Sequence, residues 1–133
     1  MINPLSDIRH YSPKLNISQL IKFFKKKEMH LTRGMVQNYV RDGNLPPPLE
    51  RRFYTHKHVA ALVIICKLKT VFDMHTIRLT LAPIMDHEGL SLDLYSQLFD
   101  NVQSLIAKFT ETGELQNYRL LQMLLIAELK AKS

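Results

Sequence analysis

The chain has 133 residues, 46% of them hydrophobic, and a formal net charge of +6 at pH 7. This length allows one domain with its own core, and the single cysteine, Cys66, excludes an intramolecular disulfide and argues against a structural zinc site. No signal peptide and no run of roughly 18 apolar residues is present, so we expect a cytoplasmic protein without a membrane span.

The first predicted helix follows an irregular arm at residues 1–17. Ser18 is a suitable helix N-cap, and apolar residues then recur at the spacing of one helix face. These apolar residues are Leu20, Ile21, Phe23 and Phe24. The opposite face is rich in lysine and carries Lys22, Lys25, Lys26 and Lys27.

A second, shorter helix is predicted to begin after Thr32 and to end before Gly43. A glycine at this position is typical of the left-handed residue that follows a helix, and Leu45 can make the apolar contact that accompanies it. The prolines at 46–48 exclude a helix and favour an extended path. We therefore expect a small two-stranded β-wing at residues 45–54.

The rest of the chain is predicted to be helical. Thr55 caps a helix from His56 to about Phe72, whose apolar residues surround it and therefore place it at the centre of the core. Asp73 caps a shorter helix. A long amphipathic helix runs from residue 91 or 92 to about 112, Gly113 interrupts it, and a last leucine-rich helix follows.

Charge is distributed unevenly along the chain. Residues 1–72 carry 13 Lys or Arg and 4 Asp or Glu, a net charge of +9, whereas residues 73–133 carry 5 and 8, a net charge of −3. This asymmetry indicates an anionic partner for the first half. The alternative is a solvated basic surface that has no partner.

Two short helices with a tight connection are typical of a helix-turn-helix, whose second helix enters the major groove of double-stranded DNA. Its outward residues are predicted to be Arg33, Gly34, Gln37, Asn38 and Arg41. Arg pairs with guanine, and Gln or Asn with adenine, through two hydrogen bonds each. Cations on the wing and on the first helix would contact phosphates or the minor groove. These cations are Arg51, Arg52 and the four lysines. An ordinary solvated helix face is the alternative.

The segments LTRGMVQNYVRDGNLPPP and RRFYTHKHVAALVIICKLKTVFDMHTIRLTL resemble the winged helix-turn-helix head of MerR-type transcriptional regulators. The resemblance covers about residues 16–83. It is closer still to a bacterial domain-of-unknown-function family, numbered eighteen thirty-six, whose members are generally labelled DNA-binding proteins. By position, the resemblance implies a recognition helix and a wing. The helix would hold Thr32, Arg33, Gln37, Asn38 and Tyr39, and the wing Arg52 and Tyr54.

The predicted fold class is mainly α, with an arm at residues 1–17, a winged helix-turn-helix head at 18–88 and a C-terminal helical hairpin at 89–133. The apolar stripes of the hairpin either pack on the head or form a homodimer, which the resemblance favours. The predicted function is sequence-specific DNA binding in transcriptional regulation. The alternative is a protein-interaction adaptor that uses the winged scaffold and the leucine-rich tail.

Catalytic and metal sites are not predicted. The six histidines are scattered, and His56 and His58, two residues apart, do not share a helix face. Cys66 lies in an apolar run and is predicted to be a core residue. We therefore expect no enzymatic activity and no cofactor.

Overall fold

The computed structural model describes residues 2–112 and 119–132, which form a mainly helical fold. Six α-helices lie within these ranges: α1 (Ile17–Lys26), α2 (Arg33–Arg41), α3 (His56–Leu68), α4 (Met74–Leu81), α5 (Leu92–Thr112) and α6 (Arg119–Lys132). None of these described helices is long and apolar enough to cross a bilayer. The predicted interruption at Gly113 lies outside the described residues.

Helix α1 begins at a different cap from the predicted one. The Asn16 side chain accepts a hydrogen bond from the Gln19 N–H at 2.9 Å, and the Gln19 side chain accepts one from the Asn16 N–H at 2.8 Å. This reciprocal pair satisfies two N–H groups that a helix start otherwise leaves open. The prediction of Ser18 as the N-cap is therefore wrong, and Ser18 lies within the first turn instead.

Helix α2 has the predicted ends. The Thr32 hydroxyl accepts a hydrogen bond from the Met35 N–H at 3.1 Å. After the helix, Gly43 has a φ of +77°, and the Asn44 N–H donates to the Tyr39 carbonyl at 2.8 Å. This is the left-handed C-terminal turn expected for glycine, and Leu45 packs beside it with 1% of its surface exposed.

The predicted two-stranded wing at residues 45–54 is wrong as a sheet, since no strand forms in the described part of the chain. Leu49 and Phe53 pair through two hydrogen bonds, and Tyr54 then pairs with Leu15. Two features limit the ladder to these isolated bridges. The three prolines have no N–H to donate, and the chain reverses at once through Glu50 and Arg51. A cationic loop at residues 49–53, the wing loop, takes the place of the β-wing.

Helix α3 is the centre of the core, as its apolar composition predicts, although it ends at Leu68 rather than near Phe72. Residues 59–65 of α3 are all buried. Helices α5 and α6 pack against it, and the Lys67 ammonium on α3 pairs with the Glu128 carboxylate on α6 at 2.9 Å. The described core therefore runs from Leu5 in the arm to Leu125 in α6 as one cluster.

The connection between α4 and α5 is fastened to the start of α3. Its turn is closed by hydrogen bonds between Asp86 and Gly89, and the Leu90 N–H donates to the Lys57 carbonyl at 3.1 Å. Gly89 has a φ of +128°, and a Cβ added there would lie 2.4 Å from the Lys57 oxygen. Only glycine allows the two backbones to approach so closely.

Candidate nucleic-acid interface

The outer face of α2 carries the polar residues that the sequence predicts. Arg33, Gln37 and Arg41 follow one another at a spacing of four residues, so they form one row along the helix. All three are exposed, as are Gly34 and Asn38 in the adjacent row. Guanidinium and carboxamide groups in one exposed row can form paired hydrogen bonds with the edges of bases.

Both arginines of this row have contacts within the protein. Arg33 Nη2 donates to Ser18 Oγ at 2.7 Å, which joins the start of α2 to the first turn of α1. Arg41 pairs with Asp42 at 3.0 Å, and both side chains are exposed. Water screens an exposed pair of this kind, so an incoming anion can displace Asp42 easily.

Two aromatic residues that the resemblance assigned to the interface lie in the core instead. Tyr39 is 8% exposed and Tyr54 is 6% exposed. Tyr39 lies on the inner face of α2 together with Val36, and its hydroxyl accepts a hydrogen bond from Lys69 Nζ at 3.5 Å. The period of α2 places Tyr39 on its inner face, and the backbone bridge with Leu15 turns Tyr54 inward. Neither ring is therefore exposed to DNA. We remove both from the candidate interface.

Helix α1 presents its lysines beside the start of α2. Ser18, Lys22 and Lys25 are spaced at i, i+4 and i+7 and share one helix face. Lys22 and Lys25 are exposed, as is the neighbouring Lys26. Because Ser18 contacts Arg33, this face borders the outer row of α2. Lys27 differs from these three lysines, since its ammonium is partly buried and pairs with the Asp7 carboxylate at 2.6 Å.

The wing loop is strained and cationic. Glu50 has a φ of +53° and Arg51 a φ of +62°, the left-handed region that costs a non-glycine residue about 1 kcal/mol or more. Arg51 and Arg52 are both exposed. The Arg52 guanidinium lies 4.7 Å from the Phe53 ring centre, and the Lys14 ammonium lies 5.5 Å from it. Sequence reasoning missed Lys14, since only the tertiary fold brings the arm to this loop.

The start of α1 joins the wing loop to α2. Leu15 exchanges backbone hydrogen bonds of 2.9 and 2.7 Å with Tyr54, at the base of the wing loop. Three residues after Leu15, the Ser18 hydroxyl accepts the hydrogen bond from Arg33. Three peptide units span at most about 11 Å, so both elements attach to one short segment. Arg33 and the C-terminal end of the wing loop, which contains Arg52, are therefore both attached at the N-terminal end of α1.

Gly34 stands on the exposed face of α2 without a structural reason. A Cβ added there would meet only the Thr32 hydroxyl, at 3.9 Å, and its φ is not in the left-handed region. A glycine inside a helix destabilises it by about 0.5–1 kcal/mol relative to alanine. Glycine at such a position is also typical of sites where another molecule approaches the backbone closely.

A family model described as Domain of unknown function (DUF1836) matches residues 12–102, which is more than half of the chain. The chain belongs to this family. The DUF1836 match includes α1, α2 and the wing loop, so the whole candidate interface lies inside the family's domain. No curated protein and no solved structure matches the chain.

Beneath the wing loop of this DUF1836 domain, His58 fixes the proline segment. The buried His58 ring accepts a hydrogen bond from the Thr55 N–H at its Nδ1 at 3.0 Å, so Nε2 carries the proton and donates to the Pro47 carbonyl at 3.0 Å. Burial lowers the pKa of His58, although the Pro47 and Pro46 carbonyls act in the opposite direction. The neutral ring therefore connects the start of α3 to the proline segment that precedes the wing loop.

We expect the free energy of unfolding to fall as the pH drops below about 6.5, because the unfolded chain then binds a proton that folded His58 resists. Above that pH the contribution of His58 is fully present. Chemical unfolding between pH 5 and 7 measures this slope, and His58→Asn should flatten it. The exposed His10→Asn control should keep the slope, and an unchanged slope in His58→Asn would contradict the assignment.

Side chains that could hold a metal are not gathered anywhere in the described part of the chain. No group of three or more His, Cys, Asp or Glu residues meets there. Cys66 is buried, and burial raises the pKa of its thiol to about 11. The thiol is therefore protonated at neutral pH, and it behaves as a core residue.

Proposed function

We propose that this DUF1836 protein is a sequence-specific binder of double-stranded DNA that acts in transcriptional regulation, with a MerR-like winged helix-turn-helix arrangement. In this proposal α2 is the recognition helix, and Arg33, Gln37, Asn38 and Arg41 contact base edges. The wing loop and the α1 face contact the DNA backbone. Their contacting residues are Arg51, Arg52, Lys14, Lys22, Lys25 and Lys26, and Thr32 caps the recognition helix beside them.

One observation carries the proposal: the start of α1 holds both Arg33 and the base of the wing loop. At most about 11 Å separates the Cα atoms of Leu15 and Ser18, so α2 and the wing loop are attached to one short segment. A helix that reads bases needs cations beside it to contact phosphates and set its register. The lysine face of α1 and the arginines of the wing loop supply these cations.

Two local costs support the same interpretation. Gly34 weakens α2 where no contact within the protein requires a glycine. Glu50 and Arg51 occupy backbone conformations in which Asn or Gly would be more stable. Strained or destabilised positions of this kind are concentrated at functional sites. A glycine at position 34 allows DNA to approach α2 closely. The strained backbone at Glu50 and Arg51 presents the Arg51 side chain to a groove.

The exposure of apolar residues on the C-terminal helices concerns both the proposed homodimer and the alternative of a protein-interaction adaptor. Leu124 and Leu125 of α6 are 4% and 1% exposed, so these two residues of the leucine-rich tail expected to serve an adaptor are covered by the core. Leu79 on α4 and Ile126 on α6 are 60% and 45% exposed. We include a homodimer in the proposal, because a two-fold dimer matches the palindromic sites that helix-turn-helix proteins read.

Selection of bound duplexes from a random DNA library tests the function directly. We expect the full-length protein to enrich one palindromic motif at low salt. Gln37→Ala should lose preference at one base position of each half-site, because a lost bidentate pair costs about 1–3 kcal/mol of discrimination. Sequencing the selected pools of both proteins provides the readout.

The exposed Gln97 on α5 offers a matched control, since Gln97→Ala removes the same side chain from a helix surface outside the interface. It should select the same motif as the unaltered protein. Failure to retain any duplex at low salt would reject the proposal and favour the adaptor. A motif that Gln37→Ala leaves unchanged would reject α2 as the reading element.

A further inference from the structure

A groove on the other side of α2 lies between the α1–α2 connection, the end of α3 and the last two turns of α6. Its volume is about 410 Å³, within the range of small-molecule sites. Its walls include Met29, Cys66, Lys69, Thr70, Ala127 and Ala131. The candidate DNA interface uses none of these residues.

Lys69 gives the groove an unneutralised positive charge. Its ammonium lies 3.5 Å from the Tyr39 hydroxyl and 3.9 Å from the Met35 sulfur, neither of which carries a negative charge. No carboxylate of the described residues pairs with it. The Glu128 carboxylate in the same wall is already paired with Lys67 at 2.9 Å.

The charges at the groove and its apolar wall indicate which class of ligand fits it. Glu28 stands exposed at the rim, where water screens its charge, whereas Lys69 is partly buried among apolar atoms. Met29, Ala127 and Ala131 offer an apolar wall beside this ammonium. A molecule that matches both features has one carboxylate for Lys69 and an apolar body for the wall.

The groove is connected mechanically to α2. Met35 and Tyr39, the two groups that Lys69 contacts, lie on the inner side of the helix whose outer side carries Arg33 and Gln37. The Lys69 ammonium has three N–H groups, and two of them face Tyr39 and Met35, so a carboxylate that binds Lys69 shares this ammonium with two residues of α2. Ligand binding therefore changes the contacts that Lys69 makes with Met35 and Tyr39, on the inner side of the helix that carries the outer row.

We propose that this groove binds a small amphiphilic carboxylate, and that the bound ligand changes the DNA affinity of α2 through Lys69. The second part rests on the proposed function of α2, whereas the first part does not. The coupling is reciprocal, so DNA that favours one position of α2 also changes the affinity of the groove for its ligand.

Methionine methyl NMR on the full-length protein without DNA tests the groove, with octanoate as the probe. We expect saturable shifts of the Met29 methyl, which lines the groove, and of the Met35 methyl, which contacts Lys69. The methyls of Met74 and Met85, which do not line the groove, should not shift. Octanol, which has a similar apolar chain but no charge, should bind more weakly.

Lys69→Met should weaken octanoate binding about tenfold or more, because a charge-assisted hydrogen bond is lost. Arg9→Met removes the same charge from the exposed arm, away from the groove and from the DNA interface, and should leave octanoate binding unchanged. Ala131→Leu, at the exposed mouth of the groove, should also weaken binding and serves if Lys69→Met fails to fold. No saturable Met29 shift, or binding by Lys69→Met and Ala131→Leu as tight as that of the unaltered protein, would overturn the site.

Titration of the selected DNA motif with and without octanoate tests the coupling separately. We expect octanoate to change the DNA affinity of the unaltered protein and not that of Lys69→Met. If octanoate binds but the DNA affinity stays the same, the coupling is refuted and the ligand site stands. If no DNA is bound at all, the proposed function fails while the NMR result still decides the groove.

Discussion

Arg51→Ala combined with Arg52→Ala is expected to weaken DNA binding for every sequence by a similar factor. Each arginine of the wing loop that neutralises a phosphate releases a counterion, so the slope of log affinity against log salt should fall by about 2 per protomer in the double variant, or by about 4 for the proposed homodimer. Fluorescence anisotropy of a labelled duplex at several salt concentrations measures this slope. The base preference of the altered protein should stay the same, since phosphate contacts carry no sequence information.

Arg9→Ala combined with Lys130→Ala provides the control, because it removes the same net charge from the exposed arm and from α6. Its salt slope should match that of the unaltered protein. Arg51→Lys with Arg52→Lys keeps the charge and should retain most of the slope. An equal loss in the Arg9 and Lys130 control would mean that total charge, rather than the wing loop, determines affinity.

Gly89→Ala is expected to destabilise the fold more than alanine at either of the other two described glycines, Gly34 and Gly43. The new Cβ would lie 2.4 Å from the Lys57 oxygen and 2.7 Å from the Lys57 carbonyl carbon, and the φ of +128° is unfavourable for alanine. Because backbone atoms rather than a flexible side chain stand in the way, we expect a loss of about 4 kcal/mol or more. Chemical unfolding monitored by circular dichroism measures the loss.

Two other glycines provide matched controls. Gly43→Ala has open space around the new Cβ but a φ of +77°, so it should cost only about 1–2 kcal/mol. Gly34→Ala meets neither obstacle and should stabilise α2 by about 0.5–1 kcal/mol. Equal stability of Gly89→Ala and Gly34→Ala would mean that the α4–α5 connection does not pack on Lys57 as described.

Helix ends and the central helix could be predicted from the sequence because their signals are local. Thr32, Thr55 and Asp73 each accept the capping hydrogen bond expected of them. Gly43 adopts the expected left-handed turn. A cap requires only a side-chain oxygen within three residues of a free N–H group, so no distant contact is needed to specify it.

The wing shows where local signals fail. The prolines at 46–48 favour an extended path, but a strand needs a partner, and Tyr54 pairs with Leu15 of the arm. The same long-range pairing turns Tyr54 inward and brings Lys14 beside Phe53. Family resemblance placed Tyr39 and Tyr54 in the interface, yet packing against Leu45 and the other core residues buries both.

The amino-acid order by itself determined the central helix, the caps at Thr32, Thr55 and Asp73 and the exposed row on α2, because hydrogen bonds and helix periodicity act within a few residues. Only the tertiary structure decided that the wing is a strained loop, that Lys14 joins it and that Lys69 opens onto a groove behind α2. These features depend on segments that are far apart in the chain and that meet only when the core around α3 forms. No local sequence pattern therefore predicts them.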